Sequence, residues 1–299
     1  MLVTAVLLSL ASPRPARSTP RLGLYAGAGA GGVAAAKDFE RTTKAPLAQL
    51  LDFGSADDWA GITDPAWLLN AHASSGFRLE YSVPMFPHNK GESLADCAKG
   101  RYDGHWKDLA HNLIAAGLAD TIVRPGWEFN GDWYDWSAKH HLPQFTGCFR
   151  HVVTTMRAAP GGHFRFDWNP NLGAGRFPAE QAYPGDAYVD YVGVDAYDTS
   201  SWERLYRGDH GLLFWSRFAA RHHKSMAIPE WGVAGGGGGR GDDPEYIDRM
   251  LSFMTTAKNH VAYEQYFDVT SSVARHGIDP GTPFPQSRAK FLQWMGKLR

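Results

Sequence analysis

The stretch Ile122-Val-Arg124-Pro-Gly-Trp127-Glu128-Phe-Asn130-Gly-Asp-Trp133-Tyr134-Asp-Trp136 begins as an apolar strand and ends in indoles, an amide and acids. This pattern is typical of a buried strand that runs out of a hydrophobic core into a polar, aromatic-lined cleft. Because an apolar wall disfavours the charged form of a carboxyl, Glu128 among tryptophans is a candidate for a raised pKa. Aromatic faces beside amides and acids also suit sugars. An ordinary strand end with a surface glutamate is the alternative, and this stretch alone does not decide between them.

Outside this stretch the chain alternates between strand-like and helix-like segments. Apolar runs predict eight strands, at 22–26, 49–53, 78–84, 121–127, 163–168, 188–196, 225–231 and 261–269. Stripes of helical period predict helices at 64–74, 105–116, 144–158, 212–222, 244–258 and 285–298, with a weaker one at 34–46. This alternation predicts an α/β fold, a single (β/α)8 TIM barrel. A doubly wound open sheet is the alternative, although the glycine run at 27–32 lacks the rest of a dinucleotide-binding fingerprint.

The charge balance, with 30 basic and 31 acidic side chains, gives no indication of a nucleic-acid or membrane partner. Aromatic residues make up 13% of the chain and include 11 tryptophans, which fits an aromatic-lined site. The apolar run at 2–11 is shorter than the roughly 20 residues that span a bilayer, but it resembles the apolar region of a signal peptide. We therefore expect a signal peptide or disordered segment at 1–19, one barrel domain at 20–299, and a secreted monomer.

Cys97 and Cys148 are the two cysteines of the chain. In an exported protein an even pair can form a disulfide, and two buried thiols are the alternative. Cys97 follows the third predicted strand and Cys148 lies early in the helix after the fourth. Because adjacent crossovers of a barrel are neighbours, we expect these two to be bonded. They come with no Cys-x-x-Cys motif and no histidine at zinc spacing, so no metal and no other cofactor is expected.

Five successive predicted strands, the fourth to the eighth, end in acids, amides and aromatic rings, and active sites of (β/α)8 barrels lie at this end. Glu128 and Glu230 end the fourth and seventh strands, each beside a tryptophan. Only a closed barrel brings these distant residues together. Cleavage of a glycosidic bond with retention needs such a pair, about 5–5.5 Å apart. The other candidate substrate contacts are Arg124, Trp127, Asn130, Trp133, Trp168, Asn169, Asp195, Tyr197, Trp231 and Tyr266.

Three motifs resemble glycoside hydrolase family 26, a family of retaining (β/α)8 glycosidases with catalytic glutamates on strands 4 and 7. They are the stretch Arg124–Trp136 quoted above, the segment 183–198 that ends in Val-Asp195-Ala-Tyr197-Asp, and Pro-Glu230-Trp231-Gly. By this resemblance, which covers about residues 22–298, Glu128 is the general acid/base and Glu230 the nucleophile. The resemblance also implies that Tyr197 hydrogen-bonds the nucleophile and that Trp168, Asn169 and Asp195 face the substrate.

Two positions depart from the pattern of the family. The residue before the acid/base is usually histidine and here is Trp127, and Tyr266-Phe267 occupies the region after strand 8 where the family usually has a tryptophan. Both lie near the cleaved bond, so β-1,3-xylan and mixed-linkage β-glucan remain open beside β-1,4-mannan as substrates of an endo-acting hydrolase. A non-catalytic carbohydrate-binding barrel is the alternative, which the matched pair of glutamates disfavours. An inverting hydrolase is disfavoured because inversion requires roughly 6.5–9.5 Å between the carboxyls.

Overall fold

In the computed structural model, which describes residues 19–172, 177–271 and 274–298, a closed barrel of eight parallel strands forms the centre of the molecule. The strands are β1 (Arg21–Tyr25), β2 (Gln49–Phe53), β3 (Arg78–Val83), β4 (Ile122–Pro125), β5 (Arg165–Trp168), β6 (Tyr191–Gly193 and Ala196–Tyr197), β7 (Ser225–Gly232) and β8 (Val261–Phe267). Each strand pairs with the next one, and β8 pairs in parallel with β1, which closes the barrel. The predicted (β/α)8 fold is confirmed, and the open sheet is excluded.

Helices connect the strands on the outside of the barrel. They are α1 (Gly29–Thr43), α2 (Trp59–Thr63), α3 (Ala66–Ala73), α4 (Leu94–Cys97), α5 (Asp103–Ala115), α6 (Leu142–Arg157), α7 (Trp202–Arg207), α8 (Leu212–Arg221), α9 (Pro244–Met254) and α10 (Pro285–Leu298), with 3-10 turns at Ala179–Ala182 and Ala257–Asn259. The start of α9 shows why the sequence predicts it well. Asp243 accepts a hydrogen bond from the Tyr246 N–H, and Pro244 fills the first turn, where a missing N–H breaks no helical bond.

Two helix starts and one strand differ from the prediction. Asp64 closes α2 instead of capping α3, because its N–H donates to the Ala60 carbonyl. The weak helix predicted at 34–46 begins five residues earlier, at Gly29, which adopts a φ of 55° and donates its N–H to the buried Asp52 carboxylate at 2.7 Å. The sixth strand is interrupted between its two segments, and Asp195 in the gap directs its carboxylate at Arg124.

The inside of the barrel next to Arg124 is polar rather than aliphatic. The Tyr263 hydroxyl lies between the carboxyls of Glu80 and Asp167, and burial raises the pKa of Glu80 to about 8 and that of Asp167 to about 7. Gly193 makes room for this arrangement, because a Cβ on it would collide with the Asp167 carboxylate. The aliphatic core instead lies between the outer face of the strands and the helices.

A disulfide joins Cys97 at the end of α4 to Cys148 in α6, with a Cα–Cα distance of 4.8 Å. The bond therefore ties the crossover after β3 to the crossover after β4. Within the described residues, no helix combines the length and the apolar character that crossing a membrane requires. The predicted signal peptide at 1–19 lies outside the described residues except for Thr19.

Candidate active site

The backbone after β4 turns sharply to place Glu128 at the mouth of the barrel. Gly126 and Glu128 both have positive φ, 57° and 51°, and the left-handed conformation costs a non-glycine residue roughly 1–2 kcal/mol. A Cβ on Gly126 would also lie 2.9 Å from the Met85 side chain, so a larger residue there would combine backbone strain with a shift of Met85. The Glu128 N–H donates to the Asn169 carbonyl at 2.8 Å, which ties the turn to the end of β5. The fold thus holds one carboxylate in a strained conformation at this point.

The Glu128 carboxyl receives two side-chain hydrogen bonds. The Trp133 indole N–H donates to Oε2 at 3.0 Å, and the Asn171 amide donates to Oε1. Burial, reinforced by the charge of Glu230, nevertheless raises the pKa of Glu128 to about 7. A carboxyl with this pKa carries a proton in a large fraction of molecules at neutral pH, as a general acid must.

Glu230, near the end of β7, is 6% exposed and is held at both oxygens. The Arg124 guanidinium donates to Oε1 at 2.5 Å, and the Tyr197 hydroxyl donates to Oε2 at 2.7 Å. One donor is a cation and both are aimed at the carboxylate, so they fix its orientation at the mouth. The hydrogen bond from Tyr197 is the one that the family resemblance implies.

The two glutamates face each other closely. One carboxylate oxygen each from Glu128, Glu230 and Asp195 lie within 4.8 Å of one another. Such a group of acids could attract a metal ion, but the Arg124 guanidinium already contacts two of the three. The Arg124 guanidinium therefore supplies the positive charge that balances these carboxylates, and we assign no metal ion to the site.

Arg124 is the centre of the buried polar network beneath the glutamates. Its guanidinium also donates to the Ser82 hydroxyl at 2.7 and 2.9 Å, to Asn169 Oδ1 at 3.2 Å and to both Asp195 oxygens at 3.2 Å. The Asn169 amide in turn donates to Asp195 at 3.0 Å. Arg124, Asn169 and Asp195 are at most 1% exposed, so their contribution is to orient and charge-balance Glu230 rather than to offer a broad surface to a ligand.

A band of aromatic rings follows the mouth from β4 round to β6. Neighbouring rings lie 4.5–6.0 Å apart between centroids, and the band consists of Trp127, Phe53, Tyr25, Phe267 and Tyr197. Trp127 is almost fully buried and donates to the Tyr134 hydroxyl at 3.0 Å, so it forms wall rather than a free platform. Trp133, which is 50% exposed beside Glu128, does present a free face.

Three residues predicted as substrate contacts lie elsewhere. Trp168, Trp231 and Tyr266 are fully buried between the barrel and the helices. Trp168 packs against Phe129, Trp215 and Phe218, whereas Trp231 and Tyr266 pack against each other and against Phe291. Side chains alternate along a strand, so the direct neighbour of an inward-facing residue faces outward. These three assignments are therefore wrong.

Asn130 contacts the backbone of Asn171 and does not contact Glu128 directly. Its side chain donates to the Asn171 carbonyl and accepts from the Asn171 N–H, both at 2.8 Å, and it thereby positions the amide that contacts Glu128. Asn171, Ser82 and His276 also lie at or next to the mouth and are not among the residues predicted from the sequence. Asn171 and Ser82 could have been found, because both lie at strand ends in register with chosen residues. His276 has no such signal, since it belongs to the irregular segment after β8.

Comparison with known proteins connects this geometry to one family. Residues 107–208 match the family model described as Glycosyl hydrolase family 26. The chain is 28% identical over 187 residues to endoglucanase H of Acetivibrio thermocellus, a match that covers 58% of this chain and 20% of that protein. It is 29% identical over 137 residues to mannan endo-1,4-beta-mannosidase of Bifidobacterium adolescentis, covering 40% of this chain and 13% of that protein. The chain thus spans a fifth or less of these curated relatives.

Solved structures show the same fold. GH26C from a Muricauda species is similar with a TM-score of 0.67 at 17% identity, over 93% of this chain and 85% of that one. An endo-beta-1,4-mannanase of Cellulomonas fimi is similar with a TM-score of 0.70 at 19% identity, over 91% of this chain and 70% of that one. Together with the match over 107–208, these findings confirm the resemblance to family 26 that the motifs indicate.

Proposed function

We propose, from the premise that this chain is a glycoside hydrolase family 26-like (β/α)8 barrel, that it hydrolyses a β-linked polysaccharide by double displacement. The observation that carries the proposal is the pair Glu128 and Glu230, whose nearest oxygens lie within 4.8 Å across the mouth. This close approach of two oxygens supports the about 5–5.5 Å carboxyl separation of retaining enzymes over the roughly 6.5–9.5 Å that inversion requires. The two carboxyls also differ in environment, as two roles demand.

In the first step, a Glu230 oxygen attacks the anomeric carbon while Glu128 gives its proton to the departing glycosidic oxygen. Arg124 and Tyr197 hold the Glu230 carboxylate in its orientation before attack. The bond from the anomeric carbon to the leaving sugar breaks, and an ester bond to Glu230 forms. The polar contacts of Glu128 then hold the resulting carboxylate in place.

In the second step, Glu128 takes a proton from a water molecule, whose oxygen attacks the anomeric carbon and releases Glu230. The same electrostatics that make Glu128 an acid make it a base at this stage. The charge of Glu230 raises the pKa of Glu128, and this contribution disappears when Glu230 is esterified. The pKa of Glu128 therefore falls in the intermediate, where Glu128 acts as a base. When Glu230 is released and regains its charge, the pKa of Glu128 rises again, and Glu128 keeps the proton that it took from water.

The substrate that we propose first is β-1,4-mannan, with mixed-linkage β-glucan and β-1,3-xylan as the other candidates and an endo mode of attack. Support for a mannan comes from the names of the relatives, one of which is a mannan endo-1,4-beta-mannosidase. Support for an aromatic sugar platform comes from Trp133, whose free ring stands beside Glu128. Gly131 lets this ring approach closely, because a Cβ there would lie 2.5 Å from it.

Hydrolysis of a panel of β-linked polysaccharides tests the proposal. The wild type is expected to release oligosaccharides from at least one of them, and Glu230→Ala and Glu128→Ala are expected to abolish this release. Glu203→Ala, which changes an exposed glutamate of α7, is the matched control and is expected to keep full activity. If the wild type binds a β-glycan but cleaves none, the chain is a non-catalytic carbohydrate-binding barrel instead.

Azide separates the two roles. With an activated aryl glycoside, Glu128→Ala should still form the intermediate, because the leaving group needs little protonation, and azide should give a product of retained configuration. With Glu230→Ala, azide occupies the space of the lost carboxylate and gives a glycosyl azide of inverted configuration. If Glu128→Ala gave the inverted azide and Glu230→Ala the retained one, Glu128 would be the nucleophile and Glu230 the general acid.

We further propose that the protein is exported and monomeric. The disulfide supports export, because such bonds persist in oxidising compartments. Among the described residues, the large apolar side chains that are exposed, Trp67 and Trp133, do not form the broad patch that stable self-association needs. N-terminal sequencing of protein from the culture medium and light scattering after size-exclusion chromatography test these two points.

A further inference from the structure

His276 lies after β8, in the described stretch 274–284, and its side chain packs beside the mouth of the barrel. Its ring centroid is 4.4 Å from that of Tyr197, the residue that donates to Glu230, and 5.8 Å from that of Phe267. Its backbone is anchored on both sides, since its N–H donates to the Val269 carbonyl and its carbonyl accepts from the Tyr266 hydroxyl, both at 2.9 Å. The half-buried imidazole is therefore held beside the nucleophile by well-defined contacts.

The sequence of β7 leaves the space that His276 fills. Glu230 and Gly232 are two residues apart on one strand, so they point to the same side of it. Gly232 carries no side chain, and a Cβ built on it would lie 3.3 Å from the His276 Cβ. A larger residue at 232 would therefore crowd His276, and also the Tyr266 ring at 3.4 Å.

The hydrogen bonds of His276 determine which of its nitrogens is the acceptor. Nδ1 lies 2.7 Å from the Val233 carbonyl oxygen, which can only accept, so Nδ1 carries the hydrogen. Burial lowers the pKa of His276, which favours the neutral ring. In the neutral ring Nε2 is a hydrogen-bond acceptor, and among the hydrogen bonds of the described residues the ring of His276 takes part in only the one from Nδ1 to Val233.

We propose that His276 is a substrate-binding residue whose Nε2 accepts a hydrogen bond from a hydroxyl of the sugar unit that Glu230 attacks. This inference rests on the proposed function. Of the two side chains that donate to Glu230, Arg124 offers no acceptor, and Tyr197 offers only the oxygen of the hydroxyl whose hydrogen already bonds the carboxylate. A sugar hydroxyl that enters here needs an acceptor. A neutral imidazole supplies an acceptor without placing a second negative charge beside Glu230. Because the direction of Nε2 is fixed, it distinguishes the two epimers at the sugar carbon that carries the bound hydroxyl.

Two amide variants separate the two nitrogens of His276. Asparagine can reproduce the Nδ1 donor to Val233 but not the acceptor, whereas glutamine can place its amide oxygen near the position of Nε2. His276→Phe keeps the ring contact with Tyr197 and has no nitrogen, so it serves as a second variant without the acceptor. His151→Asn, on α6 away from the mouth, is the matched control. Thermal melts verify that each variant folds.

The assay is kcat/KM on the best substrate of the panel and on its monodeoxy analogues, each lacking one hydroxyl of the attacked sugar. His276→Asn and His276→Phe are expected to lose about 2- to 13-fold, the range for one uncharged hydrogen bond, whereas His276→Gln stays within about 2-fold. For one monodeoxy analogue the loss should vanish, because the partner hydroxyl is gone.

Equal losses for the asparagine and glutamine variants, or the same loss on every analogue, would overturn the assignment and leave His276 as a support of its segment. If the wild type cleaves no β-glycan, the proposed function fails, and this inference fails with it. That result is measured on the wild type and is therefore distinct from a failure of His276 alone.

Discussion

Trp133→Phe is a small change with a defined effect on the general acid. It removes the indole N–H that lies 3.0 Å from Glu128 Oε2 and keeps an aromatic ring at the rim of the mouth. A hydrogen bond donated to a carboxylate stabilises the ionised form, so its removal raises the pKa of Glu128 above its value of about 7. A hydrogen bond to a charged group contributes about 1.5–3 kcal/mol, but water replaces much of it at a side chain that is 50% exposed. A remainder of about 0.5–1 kcal/mol corresponds to roughly 0.4–0.7 pH units.

The assay is the pH dependence of kcat/KM, whose alkaline limb reports the acid of the free enzyme. Because Glu128 must be protonated for the first step, activity declines as the pH rises through its pKa, and the limb of Trp133→Phe should move upward by this amount. Trp67→Phe is the control, since Trp67 is 46% exposed and packs on Gly29 instead. An unchanged limb, or one moved to lower pH, would refute the hydrogen bond as a determinant of the Glu128 pKa.

Three further substitutions have expected outcomes. Tyr197→Phe removes one of the two donors to Glu230 and should lower kcat about 10- to 100-fold on an activated aryl glycoside, with an unchanged melting temperature. Gly193→Ala places a methyl group against the Asp167 carboxylate and should lower the free energy of unfolding by about 1–3 kcal/mol in denaturant titration. Gly104→Ala, at the start of α5 with no atom within 4 Å of the new methyl group, should be neutral or stabilising by up to about 1 kcal/mol.

The features that the sequence predicts well are those that depend on periodicity and on strand ends. The alternation of strands and helices is sufficient to predict a barrel, and a barrel places Glu128 and Glu230 at the same mouth. Helix starts with a strong local cause, such as the cap of α9 by Asp243, lie within a residue of the prediction. The disulfide follows from the adjacency of two crossovers.

The errors have a common physical origin. Trp168, Trp231 and Tyr266 are aromatic residues at strand ends. Neither their residue type nor the family resemblance, which implies that Trp168 faces the substrate, accounts for the side of the sheet on which each one falls. Their inward-facing neighbours would have excluded them. The start of α1 within a glycine run could not be predicted locally, because it depends on the distant carboxylate of Asp52. His276 likewise reaches the mouth through tertiary contacts of an irregular segment.

The stereochemistry of the first product tests the central claim most directly. Proton NMR is recorded in the first minutes of hydrolysis, before mutarotation, on an oligosaccharide or aryl glycoside of the sugar that the wild type cleaves. The close pair of Glu128 and Glu230 predicts that the anomer formed first is β, as in the substrate, and that the α anomer appears only later. If the first product is the α anomer, a single displacement occurs, and the assignment of Glu230 as a nucleophile is contradicted.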